Sequence, residues 1–211
     1  ISGRTYLVAS DVEFTVTYTV NQYTITFIID EGAPVETVTL DYGATIVAPT
    51  PTKTGYTFSA WEPELPATMP AEDLVVTAKW TINMYTVTFN ADDITVMGAS
   101  GAPIASGTEI AYGDTVYFSA EDHEGYTTGA VKANGKEIDG RAYIVLSDVE
   151  FTVTYTANRY TITFDTDGGS TIEPMEVEYG ATVTAPANPT KTGYTFSAWE
   201  PELPATMPAE D

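Results

Sequence analysis

The chain contains one histidine, His123, and no cysteine, so few side chains are available to build a catalytic site. His123 would have to be the general base of any Ser-His-Asp site. It lies between Asp122 and Glu124, in a polar stretch before Gly125-Tyr126, and the sequence has no glycine-framed nucleophile elbow. One histidine and no cysteine also exclude a cysteine zinc site and a two-histidine metal motif. We therefore interpret His123 as an exposed loop residue.

Carboxylates are abundant, with 30 Asp and Glu residues among 211. Two carboxylates held close together could act as general acid and general base. With so many of them, however, chance alone brings some pairs together. The set Glu62, Glu64, Glu72 and Asp73 recurs as Glu200, Glu202, Glu210 and Asp211. A solvated face copied with a repeat explains this recurrence better than a copied catalytic site does, so the sequence predicts that the protein is not an enzyme and uses no cofactor.

Calcium is the small partner that the acidic loops would suit, because it prefers hard oxygen ligands. The candidate ligands are Asp165 and Asp167, in the run Asp-Thr-Asp-Gly-Gly, and Asp92 and Asp93, in the run Asn-Ala-Asp-Asp. Neither run has the twelve-residue spacing with a closing Glu that defines an EF-hand loop. Asp and Gly also form turns without any metal. We favour the turn and keep calcium as the alternative.

Large aromatic residues recur in fixed frames and could form either a sugar-stacking platform or a core. The residues concerned are Trp61, Trp199, Trp80, Tyr56 and Tyr194. One large aromatic residue per small module is enough to anchor its packing. We therefore assign these residues to the structural core. Lys79, which lies close to Trp80, is the best-placed lysine for an isopeptide crosslink, but an ordinary lysine on a strand face is the simpler interpretation.

The formal net charge is 8 − 30 = −22. A chain this acidic cannot hold a nucleic acid backbone by charge, and anionic lipid repels it. No apolar run approaches the roughly 18 residues of a membrane-spanning helix. The sequence therefore predicts no nucleic acid partner and no membrane insertion. The first residue is Ile, and we expect the sequence to be a piece of a longer array.

Internal repetition is the most informative feature of the sequence. Residues 1–27 and 138–164 agree at 21 of 27 positions, and residues 51–73 and 189–211 are identical at all 23. Each copy of the long repeat contains two smaller units, A and B. Both units have a Tyr-Gly step followed by a Gly-Tyr step. The predicted domains are the C-terminal strands of a B unit (1–20), module A1 (21–81), module B (82–157) and module A2 (158–211), which lacks its last strand.

Almost every apolar run alternates with Thr or charged residues, which predicts half-buried antiparallel strands. Asn134-Gly135 is a strong two-residue hairpin signal, and Asp167-Gly168 is interpreted in the same way. No stretch of a dozen residues shows a helical period. The predicted fold is predominantly β, a tandem array of small antiparallel modules with little or no helix, elongated rather than globular.

The A modules resemble the Listeria–Bacteroides repeat, the B-repeat type of internalins. The matching motifs are Tyr160–Phe164 with Gly168-Gly169, Tyr179-Gly180 with Pro186, Pro189–Phe196 with Trp199, and the closing Ala78–Trp80. Module A1 departs from the opening motif, because Phe27 is followed by a loop with one glycine, Gly32. Module B resembles a related bacterial repeat. The resemblance implies small β-grasp-like modules in extracellular proteins of the bacterial cell surface, with no catalytic residues to transfer.

We therefore expect a non-enzymatic stalk segment of an adhesin-type surface protein, in which each module contacts its neighbours and spaces other domains. Two alternatives stay open. The array could bind a host protein or glycan, for which Val96-Met97-Gly98 is the only apolar hint. It could also self-associate into a filament, if the incomplete terminal modules exchange strands.

Overall fold

The computed structural model describes residues 11–30 and 36–209. The chain divides into two compact units, Ile1–Ile82 and Asn83–Asp211. Both are built from β-strands, and no helix lies within the described ranges, so the predicted predominantly β fold is confirmed. Over the same ranges, no helical segment has the length and apolar character needed to cross a lipid bilayer.

The first unit contains one four-stranded sheet. Its strands are β1 (Gln22–Ile28), β2 (Glu36–Asp41), β3 (Tyr56–Glu62) and β4 (Leu74–Ile82), in the spatial order β2-β1-β4-β3. The outer pairs are antiparallel, whereas β1 and β4 are parallel, with Ile25 opposite Leu74 and Phe27 opposite Val76. The sheet is therefore mixed, not wholly antiparallel as predicted, and a parallel first and last strand at its centre is the β-grasp arrangement. Alternation cannot reveal this direction, because both kinds of ladder have a period of two.

The core of this unit follows from the alternation along β1 and β4. Ile25 and Phe27 face inward and are fully buried, and the Thr residues between them lie on the other face. The remaining buried residues are Trp61, Met69, Val76 and Ala78. A single aromatic and aliphatic cluster thus covers one face of the sheet, which is how a module of this size buries enough apolar surface to fold.

Module B repeats this sheet and adds to it. Its strands are β5 (Met84–Phe89), β6 (Ile94–Met97), β7 (Thr108–Ala111), β8 (Thr115–Ala120), β9 (Tyr126–Thr128), β10 (Lys132–Ala133), β11 (Lys136–Glu137), β12 (Ala142–Ile144), β13 (Val149–Thr152) and β14 (Tyr155–Ala157). The order β7-β5-β13-β10, with β5 and β13 parallel, matches β2-β1-β4-β3. The predicted hairpin is confirmed, since Asn134 and Gly135 both have positive φ, 49° and 78°, between β10 and β11.

A second sheet of three strands, in the order β12-β8-β6, packs on the first. Phe118 of β8 stacks on Phe151 of β13, with ring centroids 5.1 Å apart. The buried core combines both sheets: Val87, Ile94, Val96, Val116, Phe118, Val131, Ala133, Val145, Val149 and Phe151. Module B therefore has a larger core than module A1, although both share the same central strands.

In module A2 the described residues form two strands, β15 (Arg159–Ile162) and β16 (Met175–Glu178), which pair antiparallel. Residues 194–200, which align with β3 of module A1, form no strand. In module A1 the aligned strand, β3, pairs with β4.

The described part of the first predicted domain, residues 11–20, forms no strand and is exposed along its length. Residues 11–19 are identical to residues 148–156, which contain β13 and part of β14. The predicted strands are therefore absent from residues 11–20, and residues 1–10 lie outside the described ranges. A strand requires partners for its backbone, and those of β13 are β5 and β10.

Candidate functional site

The Tyr-Gly steps that mark each module make the same backbone contacts in all three. In each case the Tyr amide donates to the carbonyl of an Asn at the start of the module. The pairs are Tyr42–Asn21, Tyr112–Asn83 and Tyr179–Asn158, at 2.8, 2.9 and 2.8 Å. The glycine that follows has a positive φ of 72–85°, a conformation that glycine adopts without steric cost. Modules A and B thus share one backbone frame, despite their different sequences.

An aspartate fixes the central parallel pair in two of the modules. The Asp73 carboxylate, just before β4, accepts a hydrogen bond of 2.7 Å from the Thr24 amide in β1. In module B, Asp148 accepts the corresponding bond of 2.8 Å from the Thr86 amide. A carboxylate that accepts a bond from the backbone in this way sets the register of the two strands.

Modules B and A2 meet at a packed joint without a linker. The Asn158 amide donates to the Gly125 carbonyl at 2.9 Å, and the Asn158 carbonyl accepts from the Tyr179 amide. The Tyr179 ring lies so close to Gly125 that a Cβ at position 125 would be 2.3 Å from it. Tyr179 also meets Tyr126 edge-on, with ring centroids 5.4 Å apart. We refer to these contacts of Gly125, Tyr126, Asn158 and Tyr179 as the B–A2 joint.

In each A module, a lysine of one loop forms an ion pair with an aspartate of another loop. Lys53 forms an ion pair of 2.9 Å with Asp30, and its ammonium lies 4.8 Å from the centroid of the Tyr56 ring. In module A2, Lys191 pairs with Asp167 at 2.9 Å and also lies over the ring of the following Gly-Tyr step. The role of these lysines was not predicted, although their recurrence in the run Pro-Thr-Lys-Thr-Gly-Tyr was the available signal.

The two calcium candidates in module A2, Asp165 and Asp167, form contacts within this loop region. The hydrogen bond from Lys191, together with its charge, lowers the pKa of Asp167, and the Asp165 carboxylate accepts from the Asp167 amide at 2.9 Å. Such an Asx bond is typical of a turn. In module B, Asp93 accepts from Asn90 at 2.6 Å, and the Asp92 amide donates to Asn90. Among the described residues, no three His, Cys, Asp or Glu side chains are arranged to hold a metal ion.

His123 lies in a small polar cluster on module B. Its Nε2 is 3.1 Å from a carboxylate oxygen of Asp93, and its ring meets Tyr155 edge-on at 4.5 Å. The Tyr155 hydroxyl donates to the backbone carbonyls of Asp93 and Glu121. Burial, followed by the charges of the neighbouring carboxylates, raises the pKa of Tyr155. The contacts of His123 thus join the two loops that carry Asp93 and Glu121.

The predicted core aromatics occupy different environments. Trp61 is 9% exposed, with its ring 5.0 Å from Phe27 and 5.3 Å from Phe58. Trp80 is half-buried, and its indole N–H donates to the Ile29 carbonyl at 2.9 Å. Tyr56 and Trp199 are also half-buried. Tyr194, by contrast, is 73% exposed and lies outside the core. In module A1 the matching Tyr56 is paired with Ile82 of β4, and no described strand is paired with Tyr194.

Two further candidates from the sequence, Val96 and Lys79, occupy different environments. Val96 is buried in the core of module B and offers no exposed apolar patch. The large hydrophobic residues that module B does expose are Met84, Tyr117, Tyr126, Ile144 and Leu146. Lys79 forms an ion pair with Glu62, and both side chains are more than half exposed, so this lysine lies on the solvent face of β4.

The A modules are similar to a known family of repeats. The family model of the Listeria–Bacteroides repeat domain matches residues 23–79 and 160–203. Internalin H of Listeria monocytogenes is 38% identical over 85 residues, which are 38% of this chain and 15% of that protein. A protein of Evansella cellulosilytica, provisionally described as a membrane protein, is 29% identical over 193 residues.

A second protein of Evansella cellulosilytica, provisionally described as a Gly-rich membrane protein, is 25% identical over 200 residues. Each of the two Evansella matches covers 85% of this chain. They cover 28% and 21% of the relatives, so the chain spans less than a third of the length of these proteins.

Proposed function

We propose that this chain, which the family model of the Listeria–Bacteroides repeat domain matches at residues 23–79 and 160–203, is a non-enzymatic stalk segment of a bacterial cell-surface protein. Its role is to extend and space other domains outside the cell. An internalin is similar to part of the chain, and relatives that match most of the chain are described as membrane proteins. Both similarities support a place in the bacterial envelope.

The observation that carries the proposal is the B–A2 joint. A spacer must keep its modules at a fixed angle, since a flexible chain of modules shortens by coiling. At this joint one residue, Asn158, bonds to both modules through its backbone, and the Tyr179 ring fills the space above Gly125. Bending the joint would break the bond from the Asn158 amide to Gly125 and separate the two tyrosine rings.

The acidic composition suits the same role. A net charge of −22 makes neighbouring modules and neighbouring chains repel each other, which keeps a long array soluble and limits collapse of one module onto another.

The test is a distance measurement across the B–A2 joint by electron spin resonance. Because the chain has no cysteine, the variants Lys136→Cys and Thr184→Cys place one spin label on each module at exposed positions. We expect a narrow distance distribution in the parent protein and a broad one after Tyr179→Ala. The matched control is Tyr42→Ala, which removes the equivalent tyrosine of module A1 and leaves the distribution narrow. A broad distribution in the parent protein would contradict the spacer role.

A further inference from the structure

The two-residue turn between β10 and β11 carries the one Asn-Gly step of the sequence, Asn134-Gly135. An Asn-Gly step is the most reactive of the Asn steps toward attack by the backbone, because glycine has no Cβ to hinder its nitrogen. The turn is exposed, and a Cβ added to Gly135 would meet nothing within 4 Å. Water therefore reaches this step freely.

The side chain of Asn134 is bonded to the neighbouring strand β13. Its Oδ1 accepts a hydrogen bond of 2.8 Å from the Glu150 amide, and its Nδ2 donates one of 3.0 Å to the Asp148 carbonyl. The Asn134 amide also donates to the Glu150 carbonyl at 2.9 Å. The side chain thus takes the place of a further strand residue, and it continues the ladder between β10 and β13 where β10 turns away.

This geometry keeps the Asn134 carboxamide away from the nitrogen that could attack it. Strand β10 lies between β11 and β13. Gly135 leads into β11, whereas the carboxamide is held against β13. The carboxamide must therefore leave both of its partners before its Cγ can meet the Gly135 nitrogen. Two hydrogen bonds of ordinary strength lower the population of the released side chain about 5–150-fold.

We propose that Asn134 is a modification site, which the folded turn protects and which opening of module B exposes to deamidation. In the released turn, the Gly135 nitrogen bonds to Asn134 Cγ. The C–N bond of the side-chain amide breaks, and the proton of the attacking nitrogen passes through solvent to the leaving group, which departs as ammonia. One water molecule then opens the resulting succinimide ring at either carbonyl and gives isoaspartate or aspartate. The reaction consumes one water and releases one ammonia, so it needs no other reactant.

Either product removes a contact that holds the turn. The new carboxylate has no N–H to donate to the Asp148 carbonyl, and it adds a negative charge to a surface pocket that Asp148 and Glu150 also line. Isoaspartate also adds a methylene to the backbone, which changes the spacing of a two-residue turn. Since the Asp148 carboxylate bonds to the Thr86 amide of β5, the modified turn lies next to the central parallel pair. A module B that has opened is thus permanently marked at its β10–β11 hairpin.

The experiment follows Asn134 in the full chain by peptide mass spectrometry, as a mass gain of one dalton. One sample stays folded in mildly alkaline buffer, and a second is unfolded by guanidinium chloride in the same buffer. We expect deamidation at Asn134 to be at least about fivefold slower in the folded sample. Asn90 and Asn158, which are followed by Ala and Arg, are the internal references and should react more slowly than Asn134 in the unfolded sample.

A second measurement tests whether the modified chain regains the hairpin. The chain is held unfolded in the alkaline buffer until Asn134 has reacted, and it is then refolded by dilution. Amide hydrogen exchange is read at Ile138, whose amide donates to the Val131 carbonyl beside the hairpin. Exchange there should be at least about twofold faster than in a chain refolded at once, which is the effect of one lost hydrogen bond.

The matched control is Asn134→Gly, because Gly-Gly also forms this turn and has no side-chain amide to lose. Its exchange at Ile138 should be the same before and after the incubation. Both chains carry the same Asp-Gly steps, so any change at those steps affects them equally. Equal rates of deamidation in the folded and unfolded samples, unchanged exchange at Ile138 after Asn134 has reacted, or the same acceleration in Asn134→Gly would each overturn the proposal. None of these results bears on the rigidity of the B–A2 joint.

Discussion

Replacing Gly125 by Ala tests whether the B–A2 joint depends on the space that this glycine leaves for Tyr179. Gly125 has a φ of +77°, and its added Cβ would lie 2.3–2.5 Å from three atoms of the Tyr179 ring. The matched control is Gly193→Ala. Gly193 occupies the same Gly-Tyr step in module A2 and has a φ of +81°, but a Cβ there meets nothing within 4 Å.

Both substitutions carry the same free-energy cost in the backbone, and only Gly125→Ala carries a second cost. Holding Ala at a positive φ costs about 1–2 kcal/mol at either position. At position 125 the Tyr179 ring must also move away, which removes its edge contact with Tyr126. An aromatic pair contributes about 0.5–1.5 kcal/mol beyond the area it buries, and the displaced ring also loses buried apolar area. Together the joint should lose about 1–2 kcal/mol that the control variant keeps.

The assay is amide hydrogen exchange followed by NMR, read at the two amides that hold the joint. The Asn158 amide donates to Gly125, and the Tyr179 amide donates to Asn158. If these bonds open when the joint opens, 1–2 kcal/mol corresponds to exchange about 5–30 times faster in Gly125→Ala. The Tyr112 amide, which makes the same bond in module B, serves as an internal reference and should not change.

The result that would refute this reasoning is equal exchange at Asn158 and Tyr179 in the two variants. It would mean that the cost lies wholly in the backbone conformation of the glycine and that the contact with the Tyr179 ring adds nothing to the joint.

Three further results are expected. Trp61→Ala should lower the free energy of unfolding of its module by about 3–5 kcal/mol in urea denaturation, and Trp199→Ala by less, because Trp199 is half-exposed. NMR titration should show the pKa of Asp167 below its ordinary value and restored by Lys191→Met; the ion pair is present at neutral pH and is lost as pH falls through that lowered pKa. Tyr155 should ionise above its ordinary pKa of 10.0 in ultraviolet titration, so that the stability of its module falls as pH rises from the ordinary toward the raised value.

Alternation along the chain predicted strands such as β1, β4 and β13, because it depends only on neighbouring residues. It could not predict which strands pair. The nine residues that are identical at 11–19 and 148–156 form strands in the second place only. The intrinsic strand propensity of the two segments is therefore the same. The difference in their structure comes from β5 and β10, which hold β13 in its sheet.

The site was harder to predict, because its contacts join residues that are distant in the sequence. Tyr-Gly and Gly-Tyr steps were recognisable as a feature shared by the modules, but only the fold places Tyr179 on Gly125. Asp167 was a plausible calcium ligand by residue type, and its pairing with Lys191 depends on how two loops meet. Trp61 was predicted to lie in the core and is buried, whereas Tyr194 was assigned to the core and is exposed.

The parallel pairing of β1 with β4, and of β5 with β13, also decides how these modules respond to tension. If the chain is pulled from both ends of a module, the force acts along the two strands in opposite directions. Their hydrogen bonds are then loaded in shear and must fail together, whereas a hairpin pulled from its open end unzips one bond at a time. The hydrogen bond from the Thr24 amide to Asp73 adds a further link across the pair in module A1, and that from the Thr86 amide to Asp148 does so in module B. These central strands thus form the load-resisting element of each complete module. Their parallel direction is the feature that a period-two pattern could not predict.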